Sequence, residues 1–186
     1  MKGHNTAPLF ASFWQAGFEG ADHVNGSGQA LDLVRASGHL HNLDHDYGAL
    51  AQFGIRTVRE SVGWRLCDRG SDVELNRVLA RARAAERHGL QVVWTVCHYG
   101  IPRDLDYFSP DLPERFAQFC QFIASPQSGV PLCVLFLLSR FYYSFIWSDG
   151  VYWRTGRKAS DSQGRARLLP ASGVLRATLM LLACVG

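Results

Sequence analysis

The stretch that decides the fold begins with Ile55-Arg56-Thr57-Val58-Arg59-Glu60 and ends with Gln91-Val92-Val93-Trp94-Thr95-Val96. Both runs are short and rich in β-branched residues. The second is apolar on both faces, as a parallel strand covered by helices must be. Between them Leu75, Val78, Leu79 and Ala82 recur at i, i+3, i+4 and i+7, the spacing of one helix face, with Arg77, Arg81 and Glu86 on the others. Ser71-Asp72-Val73-Glu74 reads as a capping box that opens this helix, and Gly89 stands where a C′ glycine closes one. The unit is strand, helix, parallel strand.

The same alternation extends outward. Upstream, Leu43, Tyr47, Leu50 and Phe53 form a stripe that predicts a helix over residues 44–53, with Gly54 to stop it. A first apolar run, Leu9-Phe10-Ala11-Ser12-Phe13-Trp14, predicts an opening strand that ends near Gln15, and a Gly-rich, His-containing loop follows to about residue 40. Downstream, Leu112, Phe116, Phe119, Cys120 and Ile123 mark a third helix, and residues 132–138 a fourth strand. Strands two, three and four therefore begin near residues 55, 91 and 132, with a helix in each gap. Such a pattern builds a parallel sheet, either closed as a barrel or open and doubly wound. An open sheet for a dinucleotide would carry GxGxxG after its first strand, and neither Gly17-Phe18-Glu19-Gly20 nor Asn25-Gly26-Ser27-Gly28 fits. The expectation is an α/β chain whose residues 1–147 form a partial (β/α)8 TIM barrel, roughly its first four βα units. Residues 148–186 follow as an irregular tail, with Arg154, Arg157, Lys158, Arg165 and Arg167 set among Ser, Gly and Asp.

Composition narrows the function classes. The chain has 186 residues, 47% of them hydrophobic and 19% charged, with a net charge of +3. The basic residues are scattered, so no dense face for phosphates forms and nucleic acid is not an expected partner. The run Val130 to Trp147 is apolar enough to be weighed as a membrane span, but Pro131 and the central Arg140 favour a buried strand and loop. No apolar leader follows Met1-Lys2-Gly3-His4-Asn5, and the five cysteines are odd in number and widely spaced, which together suggest a reducing cytoplasm. No CxxC pair suggests zinc, and His41, Asp44 and His45 read as solvated loop residues rather than metal ligands. No metal or cofactor is expected.

In parallel α/β barrels, functional groups sit where strands end. Here the first strand ends at Gln15 with Glu19 close behind. The second ends Arg59-Glu60-Ser61-Val62-Gly63-Trp64, and the third Cys97-His98-Tyr99-Gly100-Ile101-Pro102. Carboxylates, an arginine, an imidazole and aromatic rings suit a sugar, whose faces pack on rings and whose hydroxyls take charged partners. Gln15, Glu19, Arg59, Glu60, Trp64, His98 and Tyr99 are the expected substrate contacts. Each also has a structural reading. Arg59 and Glu60 point to opposite sides of a strand, so one of them can pair with a helix charge, and Trp64 and His98 can be core residues.

Three of these segments resemble, in order, the first three strands of family 1 glycoside hydrolases and their near relatives in clan A. They are Phe13-Trp14-Gln15-Ala16-Gly17-Phe18-Glu19-Gly20-Ala21, Gly54-Ile55-Arg56-Thr57-Val58-Arg59-Glu60-Ser61-Val62-Gly63-Trp64, and Val96-Cys97-His98-Tyr99-Gly100-Ile101-Pro102. The resemblance covers about residues 9 to 125 and implies a retaining β-glycosidase. Gln15 or Glu19 and His98 would then bind sugar hydroxyls, and Arg59 would orient the nucleophilic carboxylate. Retention needs two carboxylates about 5 to 5.5 Å apart. In the family the acid/base glutamate follows an asparagine at the end of the fourth strand, where this sequence reads Leu137-Leu138-Ser139-Arg140. The nucleophile belongs to a seventh strand, and a whole barrel takes about 250 residues. The expectation is thus a glycosidase-like protein, truncated or disrupted, that lacks both catalytic carboxylates. The alternative is a non-catalytic half barrel that binds carbohydrate and closes its sheet by forming a homodimer.

Overall fold

A computed structural model describes residues 9–18, 20–131 and 134–136. Its centre is the strand–helix–strand unit. Strand Thr57–Ser61 pairs in parallel with Gln91–Thr95, and helix Asn76–Arg87 crosses between them. In chain order the strands are β1 (Gln15–Gly17), β2 (Asp22–Val24), β3 (Ala30–Asp32), β4 (Thr57–Ser61), β5 (Gln91–Thr95) and β6 (Val134–Phe136). The helices are α1 (Leu33–Ala36), α2 (Leu43–Gln52), α3 (Trp64–Cys67), α4 (Asn76–Arg87) and α5 (Leu112–Ala124). The four parallel strands lie in the order β1-β4-β5-β6, while β2 and β3 form a separate antiparallel hairpin.

Strand alternation divides the sheet into two faces. Val58, Glu60, Val92 and Trp94 face the helices, where Tyr47 of α2, Val78, Ala82 and Ala85 of α4, and Phe119, Cys120 and Ile123 of α5 complete the core. Gln15, Gly17, Thr57, Arg59, Ser61, Val93 and Thr95 share the opposite, inner face through the registers Gln15↔Thr57↔Gln91 and Gly17↔Arg59↔Val93. Polar bonds tie the chain before β1 to the starts of these strands. The Ala11 amide donates to Gln91 Oε1 (2.9 Å), the Ser12 amide to Thr57 Oγ1 (3.2 Å), and Gln91 Nε2 to the Leu9 carbonyl (3.0 Å).

Several sequence expectations shift. The first strand is Gln15–Gly17, not residues 9–14, and Phe13 and Trp14 are exposed before it, edge to face at 5.2 Å. Ser71 does not cap α4. Residues 68–73 close a small antiparallel turn through the Asp68↔Val73 bridge, Glu74 is spent on an ion pair with Arg69, and the helix starts at Asn76. Arg81 faces inward rather than outward, because a buried carboxylate waits there. Phe53 lies beyond the last turn of α2 and is exposed. Gly54 and Gly89 do follow their helices with φ of +72° and +63°. The expected loop before residue 40 contains the β2–β3 hairpin, closed by Asn25, whose Oδ1 accepts from the Ser27 and Gln29 amides.

The fourth strand is present as β6, whereas the apolar run beyond residue 136 and the tail of residues 148–186 lie outside the described residues. Among the described residues no helix is long and apolar enough to cross a membrane, and no three His, Cys, Asp or Glu side chains are grouped to hold a metal ion.

Candidate functional site

The C-terminal ends of β1, β4 and β5 lie side by side; of the seven expected sugar contacts, Gln15 and Arg59 lie on β1 and β4 themselves, and His98 and Tyr99 on the loop that leaves β5. Gln15 is exposed and Arg59 half-buried, both on the inner face. Gly17 sits beside Arg59, and a side chain there would meet Arg59 Cβ at 3.9 Å, so glycine leaves the inner face open at this point. From the end of β5, His98 and Tyr99 are half-buried with ring centroids 4.3 Å apart. Tyr107 holds that loop by donating its hydroxyl to the Tyr99 carbonyl at 2.7 Å. The hairpin adds a residue that sequence reading missed: His23 of β2 meets Tyr99 edge to face, with centroids 6.1 Å apart. A Gly-rich segment without apolar alternation gave no strand signal that would have aimed His23 there. Glu19 lies outside the described residues.

Two expected contacts are placed inside the protein instead. Trp64 is buried, donates Nε1 to Asp68 Oδ2 at 2.9 Å, and packs on Phe116 and Phe119. Asp68 in turn takes Arg115 Nη2 at 2.7 Å; despite partial burial, that guanidinium holds the Asp68 carboxyl below its ordinary range. Glu60 has no solvent exposure at all. Its Oε1 accepts from Tyr47 Oη (2.6 Å) and lies 2.9 Å from His39 Nε2, while Oε2 accepts from Arg81 Nη1 (2.9 Å). This is the pairing with a helix charge that strand alternation allows, since Arg59 takes the inner face and Glu60 the outer.

The network continues through His39 Nδ1, 2.7 Å from Asp46 Oδ2, and Phe18 stacks on the His39 ring at 4.0 Å. Burial by itself would lower the His39 pKa, but the Glu60 and Asp46 carboxylates outweigh it and hold it above the ordinary histidine value. Burial and the neighbouring Glu60 charge push the Tyr47 hydroxyl up. The cluster locks α2 and α4 against β4, which fixes the strand carrying Arg59.

Comparison with known proteins places this geometry. No family model matches the chain. A probable inactive β-glucosidase of rice (Oryza sativa subsp. japonica) is 29% identical over 97 residues, which covers 46% of this chain and 19% of the relative. Among solved structures, a rice β-glucosidase in covalent complex with glucose aligns with a TM-score of 0.59 at 13% identity, over 95% of this chain and 45% of that one. This chain is similar to part of a family 1-like β-glycosidase. The AHE enzyme of Alicyclobacillus herbarius aligns at 0.57 and 17% identity over 79% of this chain and 34% of its own. The β-glycosidase of the hyperthermophile Thermosphaera aggregans aligns at 0.51 and 12% over 95% and 51%. The β-glycosidase-like chain thus spans about a fifth of its curated relative and a third to a half of these structures. At such identities the structures establish the fold.

Proposed function

We propose that this chain binds a carbohydrate or glycoside at the inner face of its sheet and does not by itself cleave the glycosidic bond. The observation that carries the reading is the register Gly17↔Arg59. It sets Gln15 and Arg59 on one face of neighbouring strands, below the His98–Tyr99 loop, in a chain similar to β-glycosidases. Arg59 supplies a fixed charge and donors for hydroxyls, Gln15 a donor and an acceptor, and Tyr99 an apolar ring face. The described residues then correspond to the first four strands of a partial (β/α)8 barrel.

The case against hydrolysis comes from the sequence. The position expected for the acid/base carboxylate, at the end of the fourth strand, reads Ser139-Arg140, and no Asn-Glu pair occurs anywhere in the chain. Glu60 cannot substitute, because it is enclosed behind the sheet and already bonded to three side chains. Titrating methyl β-D-glucoside into the 15N-labelled chain should shift amides around Arg59 and His98, and Arg59→Ala should abolish those shifts. Release of p-nitrophenol from its β-D-glucoside should stay at the buffer rate. Measurable turnover, or a titration that leaves those amides unmoved, would overturn this reading.

A second reading, a half barrel that forms a homodimer, is favoured by one observation. Phe13 and Trp14 are 88% and 73% exposed beside β1, the terminal strand of the sheet among the described residues. Sedimentation of the wild type against a Phe13→Ser/Trp14→Ser variant tests it: a dimer that becomes a monomer supports it, and a wild-type monomer removes it.

A further inference from the structure

The β2–β3 hairpin carries two aspartates directly opposite each other, Asp22↔Asp32. Like charges facing across a ladder repel unless each is neutralised. Asp32 is: both its oxygens accept from Arg77, at 2.7 and 3.0 Å, and its carboxyl is held below the ordinary range. Asp22 is only partly so. It is 3% exposed, no well-aligned hydrogen bond reaches either carboxylate oxygen, and its own amide and Arg65 oppose the burial without offsetting it. Arg65 Nε lies 3.3 Å from Oδ2, close enough for an ion pair, but is misaligned for a hydrogen bond. The guanidinium instead donates Nη2 to the Leu31 carbonyl at 2.7 Å.

The place where Asp22 is buried matters for the site. A side chain added at Gly63, just past β4, would come within 3.5 Å of Asp22 Oδ1. One added at Gly100, past β5, would come within 2.9 Å of Oδ2 and would collide with the Asp22 carbonyl. Asp22 is therefore wedged between the backbones that leave the two central strands. The next residue, His23, is the one whose ring meets Tyr99. The carboxylate also borders a cavity of about 170 Å³, which Ser61, Cys67, Arg69, Glu74, Arg77 and Arg81 line with it.

We propose that Asp22 is a positioning residue of the candidate sugar site: uncharged, it seats the β2–β3 hairpin against the ends of β4 and β5 so that His23 packs on Tyr99, and its ionisation loosens that seat. The importance of the seat for sugar binding rests on the function proposed above, whereas the seat itself does not. Burial, opposed by Arg65 and reinforced by Asp32, pushes the Asp22 carboxyl up to about 7. The other charged or titratable groups around it are accounted for. Arg77 is committed to Asp32, Arg81 to Glu60 and Arg69 to Glu74, while burial pushes the Cys67 thiol up to about 12, so it stays neutral. His23, His98 and Tyr99 form the ring cluster itself. An undocked Asp22 would ionise near its ordinary value, so docking weakens steadily between about pH 4 and 7 and then levels off.

The test is amide hydrogen exchange of the 15N-labelled full chain across pH 4.5 to 8, corrected for intrinsic rate and without sugar. The opening constants of the His23, Val24 and Leu31 amides should rise at least tenfold, and up to about two hundredfold across this range, and flatten above pH 7. The His23–Tyr99 ring NOE should fade in parallel. Asp22→Asn keeps the shape and removes the titration, so its profile should be flat with the NOE retained. Should that variant not fold, the carboxyl 13C titration of Asp22 in the wild type gives the same answer. Protection that is constant or rises with pH in the wild type, an Asp22 carbon that titrates near 4, or an Asn variant that follows the wild-type curve would each overturn the proposal. A glucoside titration at pH 5 and 8 then separates the two claims. A working seat with no sugar binding at either pH sinks the function and leaves the seat standing.

Discussion

Arg81→Met strands a charge. Arg81 is 3% exposed, donates Nη1 to Glu60 Oε2 at 2.9 Å, and holds its guanidinium carbon 5.6 Å from the Trp94 ring centre. Methionine fills much of the same volume but leaves Glu60, with zero exposure, facing an apolar gap on one side. Breaking a buried pair from one side costs roughly 3–5 kcal/mol, because the remaining charge keeps its desolvation penalty. The cation–π contact with Trp94 is part of that figure rather than an addition, since the same group makes both contacts. For a chain of this length about 1 kcal/mol moves the melting point by roughly 2–4 °C, so thermal unfolding followed by circular dichroism should fall by about 6–20 °C. The companion variant Arg81→Met/Glu60→Gln removes the stranded charge and should recover at least half of the loss, a coupling that a double-mutant cycle reads directly. A single variant that costs under about 1 kcal/mol, or a double variant no better than the single, would refute the claim that Arg81 and Glu60 form a buried ion pair.

Three further outcomes follow from the same geometry. The folded pKa of His39 is raised, so its contribution is complete below about pH 6.5 and is lost as pH rises through the folded value. His39→Gln should therefore flatten the fall of urea-unfolding stability on the alkaline side of pH 6.5, and an unchanged slope would show that His39 is not the group responsible. Cys67, buried and with its thiol pushed up to about 12, should resist iodoacetamide at pH 7.5 and react once urea unfolds the chain. Peptide mapping decides this, and rapid native labelling at Cys67 would contradict the burial. Gly100→Ala forces a methyl group into the Asp22 carbonyl, a backbone neighbour that cannot rotate away, and should cost about 1–3 kcal/mol or more in urea unfolding. An alanine variant as stable as wild type would mean that the hairpin is not wedged against Gly100.

The parallel core was legible in the amino-acid order, because its signals are local. The β-branched run around Val58, the two-faced run around Val93, the helical spacing of Val78, Leu79 and Ala82, and the closing glycines Gly54 and Gly89 each depend on neighbours a few residues away. That order also placed Arg59 and Glu60 on opposite faces of one strand, without saying which face met the helices. Packing between elements settled that, by bringing Arg81, His39 and Tyr47 to Glu60 from segments separated by up to 21 residues. The apparent capping box failed for the same kind of reason. Ser71 to Glu74 is locally consistent with a helix start, but the Asp68↔Val73 bridge and the Arg69–Glu74 pair claim those residues first. The hairpin was illegible because its three-residue strands are too short to show alternation. Asp22 and His23 have meaning only against Gly63, Gly100 and Tyr99, which lie 40 to 80 positions further along the chain. Periodicity fixes which face of an element is apolar, but the partner of a buried charge is set by packing between elements that are distant in sequence.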